Sequence, residues 1–167
     1  MRSMRLKKRE IKDTALLKEI LDTCRVVRVG TLDQEGIYII PLNYGYEWEN
    51  PGKDSSKLKL YVHSAKEGRK SEAFAQRQEV SFEIDKEQGI IRGDYSCSYS
   101  FAFQSIMGQG IIRKISDTEE KKKALSLLLE HMEPGCKIAF SEKMLEAADA
   151  YCIEADWFTG KERKPAL

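Results

Sequence analysis

LYVHSAKEGRKSEAF, residues 60–74, is the stretch of the sequence that decides its interpretation. Its first residues alternate between apolar and polar, as in a half-buried strand, and its last residues have the spacing of a short amphipathic helix. The polar segment between them combines hydrogen-bond donors with cations: His63, Ser64, Gly68, Arg69 and Lys70. The pattern therefore predicts a strand that ends in a polar, positively charged junction with a helix.

This junction has the features of a site for one phosphate-sized anion. Arg69 offers a planar fork of donors, and Lys70 offers a mobile point charge. Gly68 permits close approach of the backbone, and the first N–H groups of the helix would point towards the same place. A solvated basic turn explains the segment equally well, and a lone histidine such as His63 is more often structural than catalytic. Neither GxGxxG nor GxxxxGK[ST] is present, so a dinucleotide fingerprint or a P-loop is not supported.

A second group of residues lies in PLNYGYE, residues 41–47. Pro41 has no backbone N–H for a strand ladder, and a proline in a strand marks an edge, a bulge or a place where something other than a strand lies alongside. Asn43 adds an amide, and Tyr44 and Tyr46 add aromatic surface. A tyrosine-rich strand is usually only a strand. Followed one strand later by an anion site, however, this group suits a flat polar ring joined to a phosphate tail.

The composition indicates one globular domain over residues 1–167. Hydrophobic residues make up 41% and charged residues 33%, which is ordinary for a folded domain. Because 28 Lys and Arg nearly balance 27 Asp and Glu, a protein that coats nucleic acid is disfavoured. The four cysteines form no CxxC pair and there are only two histidines, so no metal site is predicted and the thiols are expected to be reduced.

Neither a secretory signal nor a membrane span is predicted. The basic start, MRSMRLKKRE, is not followed by an apolar run. No stretch of the sequence approaches the roughly 20 apolar residues that a spanning helix needs. A cytoplasmic protein without membrane contact is therefore expected.

The order of the predicted elements favours an antiparallel α+β barrel over a doubly wound parallel sheet, because helices are inserted between strands instead of following each one. Asp13 is the predicted N-cap of the first helix, and Asp117 with Glu120 forms a predicted capping box. Gly108 and Gly110 are predicted bulge or bend points in a long strand. About six strands are predicted, at 26–33, 36–49, 57–64, 79–85, 95–116 and 150–161, with helices at 13–25, 69–77, 117–132 and 141–149.

The succession of VxRVGTLDQEG, PLNYGYE and LYVHSAKEGRK resembles the pyridoxamine 5′-phosphate oxidase-like flavoproteins, and is most similar to their nitroimidazole-reductase (Nim-type) branch. The resemblance extends from about Arg9 to Gly160, and HSAxEGxK is its most specific part. It implies an α+β fold, a six-stranded antiparallel split β-barrel that binds FMN, with flanking helices. It also implies a homodimer with two flavins at the subunit interface.

The resemblance further implies a set of site residues. The FMN phosphate would be surrounded by His63, Ser64, Arg69 and Lys70. The isoalloxazine ring and ribityl chain would be lined, chiefly through backbone atoms, by Pro41, Leu42 and Asn43. The flavin would also be reached, often from the partner subunit, by Gln104 and Ser105. The sequence FAFQSIMGQG around these last two residues departs from the strand rich in valine and small residues that is usual in the family.

An FMN-dependent oxidoreductase acting on small molecules is the function that the resemblance implies, with nitroaromatic compounds as substrates and NAD(P)H as electron donor. FMN would supply the hydride or electron chemistry, and a general acid, if one is needed, would be His63 or Tyr99. The chain ends at KERKPAL without the C-terminal extension of the true pyridoxamine phosphate oxidases, so the vitamin B6 reaction is not expected.

Two other classes of function stay open at the level of sequence. The same barrel could be a flavin- or haem-binding module that senses or stores its ligand without turnover, because a fold does not fix a function. A nucleic-acid-binding barrel would need a basic, aromatic surface, and the near-neutral net charge argues against it.

Overall fold

The computed structural model describes residues 4–165, which form eight strands, four α-helices and two short 3-10 helices. The strands are β1 (Glu10–Ile11), β2 (Val26–Asp33), β3 (Gly36–Asn43), β4 (Gly45–Glu49), β5 (Lys57–Ala65), β6 (Glu79–Ile91), β7 (Ser100–Lys114) and β8 (Ala148–Arg163). The α-helices are α1 (Thr14–Thr23), α2 (Arg69–Gln76), α3 (Thr118–Met132) and α4 (Glu142–Ala147). The 3-10 helices are Lys7–Arg9 and Ser96–Ser98. The predicted α+β class and split-barrel fold are confirmed.

The predicted number of six strands is wrong, because the structure has eight in the residues that it describes. The run 36–49 is divided at Tyr44, whose side chain is fully buried and donates from its hydroxyl to the carbonyl of Leu21 at 2.8 Å. The other additional strand, β1, is only two residues long and pairs with the end of β8. A two-residue strand has no periodicity that a sequence pattern could reveal.

All strand pairs are antiparallel, in the order β3-β2-β6-β7-β8-β5-β4, with β1 beside β8. The two ends of this order meet again, since β3 continues directly into β4 through Tyr44 and also contacts β5. β3 and β5 lie next to each other but form no backbone ladder, so the barrel is closed everywhere except along the line between these two strands. This line is the split of the barrel.

The interior of the barrel is filled by the alternate residues of its strands, as the period of two requires. Examples are Val27 and Val29 on β2, Ile84 on β6 and Ile106 on β7, all fully buried. Two helices complete the same core: α1 contributes Leu17, Ile20 and Leu21, and α2 contributes Phe74. None of the helices in residues 4–165 is long and apolar enough to cross a membrane.

Part of the outer surface of the barrel is covered by α3, which packs on β4, β5 and β8. A second, smaller core forms beneath it from Tyr61, Ile115, Ala124, Ala150 and Cys152. The sequence predicts Tyr61 on the same strand face as Lys59 and His63, and α3 explains why this face is only partly exposed. The Tyr61 hydroxyl donates to Glu47 at 2.6 Å, so its polar end is satisfied.

The predicted helix start signals are confirmed at both sites. The Asp13 side chain accepts from the N–H of Ala15 at 2.9 Å, and that of Asp117 accepts from the N–H of Glu120 at 2.8 Å. The Glu120 carboxylate does not complete a capping box, because it pairs with Arg113 instead. The predicted irregularity is confirmed at Gly110, by a register shift between Gln109 and Gly110 in the β7–β8 ladder, but not at Gly108, which pairs in regular register with Phe82 and Phe158.

A glycine at position 45 is required by the close approach of α3 to β4. A Cβ atom built on Gly45 would lie 2.5 Å from the backbone of Leu127 and Leu128, whereas one on Gly30 would meet only the Ser81 carbonyl at 3.8 Å. We therefore expect Gly45→Ala to lower the free energy of unfolding by about 3 kcal/mol or more, and Gly30→Ala to change it by less than about 1 kcal/mol. Urea unfolding of both variants measures this, and equal effects would contradict the packing described.

Candidate functional site

The split of the barrel exposes two strand edges that have no strand partner among the described residues. β4 pairs with β5 only from Lys57 to Tyr61, so Val62–Ala65 pair with β8 on one side and with no strand on the other. β3 pairs only with β2 along its whole length. Free backbone donors and acceptors at such edges need partners. The split is therefore a place where backbone groups can bind a polar ligand.

His63 and Lys70 lie close together at the β5 side of this split. The His63 side chain is solvent-exposed, but partial burial and the nearby Lys70 ammonium lower the pKa of His63 below its usual value of 6.5. Partial burial also lowers the pKa of Lys70. None of the ion pairs within residues 4–165 involves Lys70. The Lys70 ammonium is consequently a positive charge that no carboxylate within residues 4–165 neutralises.

The N-terminus of α2 adds donors beside these side chains. Gly68 occupies the N-cap with φ of +107°, a backbone conformation that favours glycine, and no side chain caps the helix. The hydroxyl of Ser71, in the first turn, donates to the carbonyl of Gly68 at 2.9 Å and does not accept from the backbone N–H groups of that turn. The N–H groups of the first turn are thus available to an anion, together with the positive end of the helix dipole.

Ser64 and Arg69, two of the four predicted phosphate ligands, have surroundings that differ from those of His63 and Lys70. Ser64 is buried and faces the opposite side of β5 from His63, as consecutive strand residues do. Arg69 lies against the turn between β2 and β3, where it pairs with Asp33 and Glu35. The structure therefore brings His63 and Lys70 together, but it directs Ser64 and Arg69 elsewhere.

The three residues predicted to line a ring lie at the other edge of the split. Pro41 is exposed, and its lack of an N–H suits a strand that has no partner on this side. The Leu42 side chain belongs to the barrel core, so only its backbone can meet a ligand. The Asn43 amide donates to the Arg25 carbonyl at 3.0 Å, which fixes its orientation. These contacts agree with a contribution that comes mainly from the backbone of β3.

The last predicted pair, Gln104 and Ser105, is not part of this cluster within one protomer. Both side chains are buried, on opposite faces of β7, and β7 is separated from β3 by two strands and from β5 by one. The Gln104 Oε1 atom has no hydrogen-bond partner, although its Nε2 lies 3.5 Å from Glu162. Tyr99, the other predicted proton donor, is exposed in the connection between β6 and β7.

Sequence reasoning missed the partners of Arg69 and the apolar outer face of the sheet. Asp33 ends the predicted strand 26–33, and Glu35 lies between it and the next predicted strand, so neither residue is close to Arg69 in the sequence. On β3, Ile37 and Ile39 expose 82% and 63% of their surface. Their alternation with buried residues indicates a strand, but it does not say which face lies inside; only the strand registers settle that.

A barrel that is open along one line, with an uncapped helix N-terminus beside the opening and with Lys70, which has no ion pair within residues 4–165, is the architecture of a small split-barrel protein. The chain belongs to the pyridoxamine 5′-phosphate oxidase family, whose sequence profile matches residues 13–162. The proteins of this family bind flavins. The family resemblance found in the sequence is therefore confirmed.

Several solved structures have the same fold. A candidate 5-nitroimidazole antibiotic resistance protein from Bacteroides thetaiotaomicron is 28% identical, with a TM-score of 0.76 over 92% of this chain and 86% of that one. The flavocytochrome Anf3 from Azotobacter vinelandii is 20% identical, with a TM-score of 0.79 over 99% and 74% of the two chains. An FAD- and haem-binding protein from Mycobacterium smegmatis is 19% identical, with a TM-score of 0.78 over 95% and 76%. None of the curated proteins compared with this chain matches it.

The proximity of Lys70 to His63 is testable without any ligand. Replacing Lys70 by Met keeps most of the side-chain volume but removes the charge that lowers the pKa of His63. We expect the pKa of His63 to rise in Lys70→Met, because the repulsion by the ammonium is lost, and to stay below 6.5, because the partial burial remains. A titration of the His63 ring by NMR measures it, with Lys66→Met as the matched control. An unchanged pKa in Lys70→Met would show that the two side chains are not neighbours.

Proposed function

We propose that this protein binds FMN in the split between β3 and β5 and is an FMN-dependent oxidoreductase of small molecules. The observation that carries the proposal is the meeting of three features at one place: an unpaired Lys70 beside His63, the uncapped N-terminus of α2, and two free strand edges. A flavin mononucleotide has one phosphate, a polyhydroxyl chain and a flat ring with polar edges. Each of these parts has a matching feature in the split.

The phosphate would be held at the junction of β5 and α2. Lys70 supplies a cation that has no carboxylate partner in the described part of the chain, and the first-turn amides of α2 supply hydrogen bonds. His63 would be mainly uncharged near pH 7, since its pKa lies below 6.5, and a bound phosphate would favour its protonated form. Arg69 is not one of the ligands proposed, because its nitrogen atoms face carboxylates. Ser64 would contribute from the strand end through its backbone.

The ring would lie along the edge of β3, where Pro41, Leu42 and Asn43 present backbone groups and an oriented amide. FMN, when bound, supplies the hydride or electron transfer. The chain's own part is to orient the ring against β3, to exclude water from its protein-facing side, and to hold an exchangeable proton on His63. His63 is the only one of the two proposed proton donors that stands at the split; Tyr99 lies between β6 and β7.

A homodimer is part of the proposal, because the sheet has an apolar outer face. Ile37, Ile39 and Met107 are exposed to 82%, 63% and 54%, and the strand registers place them on one face with Pro41. Exposed apolar clusters of this kind mark interaction sites. A second copy docked on this face would bring its own β7 towards the split. This would bring Ser105 of that copy, which lies on the same face of β7 as Met107, towards the flavin, while Gln104 lies on the opposite face and would take part through its backbone.

Small nitroaromatic compounds are the substrates that we propose, with NAD(P)H as the donor. The support is the likeness to the candidate 5-nitroimidazole resistance protein of Bacteroides thetaiotaomicron at 28% identity over nearly the whole chain. An exposed flavin face at a surface split would admit such flat molecules. The alternative is a flavin- or haem-binding module without turnover, as the flavocytochrome among the structural neighbours suggests. Bleaching of the flavin by NAD(P)H and its reoxidation by a nitroaromatic compound distinguish the two.

The cofactor and its phosphate contact are tested by flavin retention. We expect the purified protein to show a flavin spectrum and to release FMN on heating. Lys70→Met should weaken FMN binding about tenfold or more, because it removes a charge-assisted contact. Lys66→Met removes a charge from the connection between β5 and α2 and should leave the affinity unchanged. A colourless protein that takes up no added FMN would refute the proposed cofactor, and equal affinities of the two variants would refute the role of Lys70.

The proposed dimer is tested by charge placed on the apolar face. Ile39→Asp would bury a carboxylate in the interface, which is costly without a partner. We expect this variant to be a monomer by light scattering while the unaltered protein is a dimer. Met144→Asp is the matched control, since Met144 on α4 is similarly exposed and lies outside the face. A dimer that survives Ile39→Asp would place the interface elsewhere.

A further inference from the structure

The guanidinium of Arg69 is engaged by the turn between β2 and β3. Its Nε lies 2.6 Å from Asp33 Oδ2, its Nη2 lies 3.2 Å from Asp33 Oδ1, and its Nη1 lies 3.3 Å from Glu35 Oε2. The central carbon lies 4.1 Å from the centre of the Tyr38 ring. A bidentate carboxylate uses the same fork of donors that a guanidinium would offer to a phosphate. The Nε–Nη2 side of the guanidinium is therefore occupied by Asp33, and Glu35 lies at Nη1.

Asp33 is held in place by the turn itself. Its Oδ1 atom also accepts from the N–H of Glu35 at 2.8 Å, a contact that is local to the turn. Its side chain is only 8% exposed in the contact with Arg69. A carboxylate with two sets of partners is a fixed anchor for whatever is attached to it. Asp33 thereby holds Arg69, which is the first residue of α2.

Lys70, the next residue, faces a different direction. Successive residues of an α-helix are about 100° apart, so the side chains of Arg69 and Lys70 leave the helix in different directions. Lys70 lies next to His63 and has no carboxylate partner in the described part of the chain. The two cations of the GRK sequence thus have separate surroundings, one acidic and one without an opposite charge.

We infer that Arg69 and Asp33 are positioning residues, which fasten the first turn of α2 to the β2–β3 hairpin so that its amides and Lys70 face the split. Arg69 does not itself bind the phosphate. The helix needs such a fastening because Gly68, its N-cap, has no side chain to hold it. The inference rests on the proposed function for the identity of the ligand, but not for the existence of the fastening.

The direction of the Asp33→Asn effect separates a positioning role from a ligand role. Asn keeps an oxygen for the Glu35 N–H but removes the charge that holds Arg69. If the pair positions α2, Asp33→Asn and Arg69→Ala should each weaken FMN binding about tenfold, and the double variant should be no weaker than either. Asp54→Asn, in the exposed loop before β5, is the control. If Arg69 binds the phosphate, Asp33→Asn would leave the affinity unchanged or raise it, and this result would overturn the inference.

A second measurement needs no flavin. Hydrogen exchange of the α2 amides from Glu72 to Gln76 reports how firmly the helix start is held in the flavin-free protein. We expect Asp33→Asn and Arg69→Ala to accelerate this exchange by about the same factor, roughly tenfold, and Lys70→Met to leave it unchanged. Unchanged exchange in Asp33→Asn would overturn the fastening. A protein that binds no FMN would refute the proposed function, while the exchange rates would still decide this inference.

Discussion

The site depends on the way in which the chain passes from β3 to β4 at Tyr44. The Tyr44 ring is fully buried, its hydroxyl donates to the Leu21 carbonyl at 2.8 Å, and it packs against the His131 ring at a centroid distance of 4.6 Å. Moving this residue would leave a buried hydroxyl without its acceptor, at a cost of about 1–3 kcal/mol. Because the chain is fixed here, β4 and not β3 pairs with β5, and the pairing stops at Tyr61.

The chemistry of the split follows from that arrangement. Beyond Tyr61 the free edge of β5 leads directly into Gly68 and α2, so backbone donors, a helix N-terminus and Lys70 are consecutive in the chain. Such groups need no long-range assembly to meet a phosphate. Only the ring side of the site, at Pro41, depends on the closure of the barrel. The proposed contribution of Gln104 would depend on a second copy of the chain, which is why it lies apart in one protomer.

Much of the fold could be predicted from the sequence because its signals are local. The caps at Asp13 and Asp117, the strand 26–33 and the helix 69–77 each depend on residues within a few positions of one another. The division of 36–49 at Tyr44 could not be predicted, since it depends on the packing of that ring against α1 and α3. The cluster of cations was predicted as a group, but the separate surroundings of Arg69 and Lys70 arise from the distant residue Asp33, which no local pattern reveals.

The most direct test of this account is a crystal structure of the protein with bound FMN. We expect electron density for the flavin in the split, with its phosphate beside Lys70 and the first-turn amides of α2, its ring along Pro41–Asn43, and the Arg69–Asp33 pair intact. Flavin density elsewhere on the barrel, or a phosphate bound away from Lys70, would contradict it.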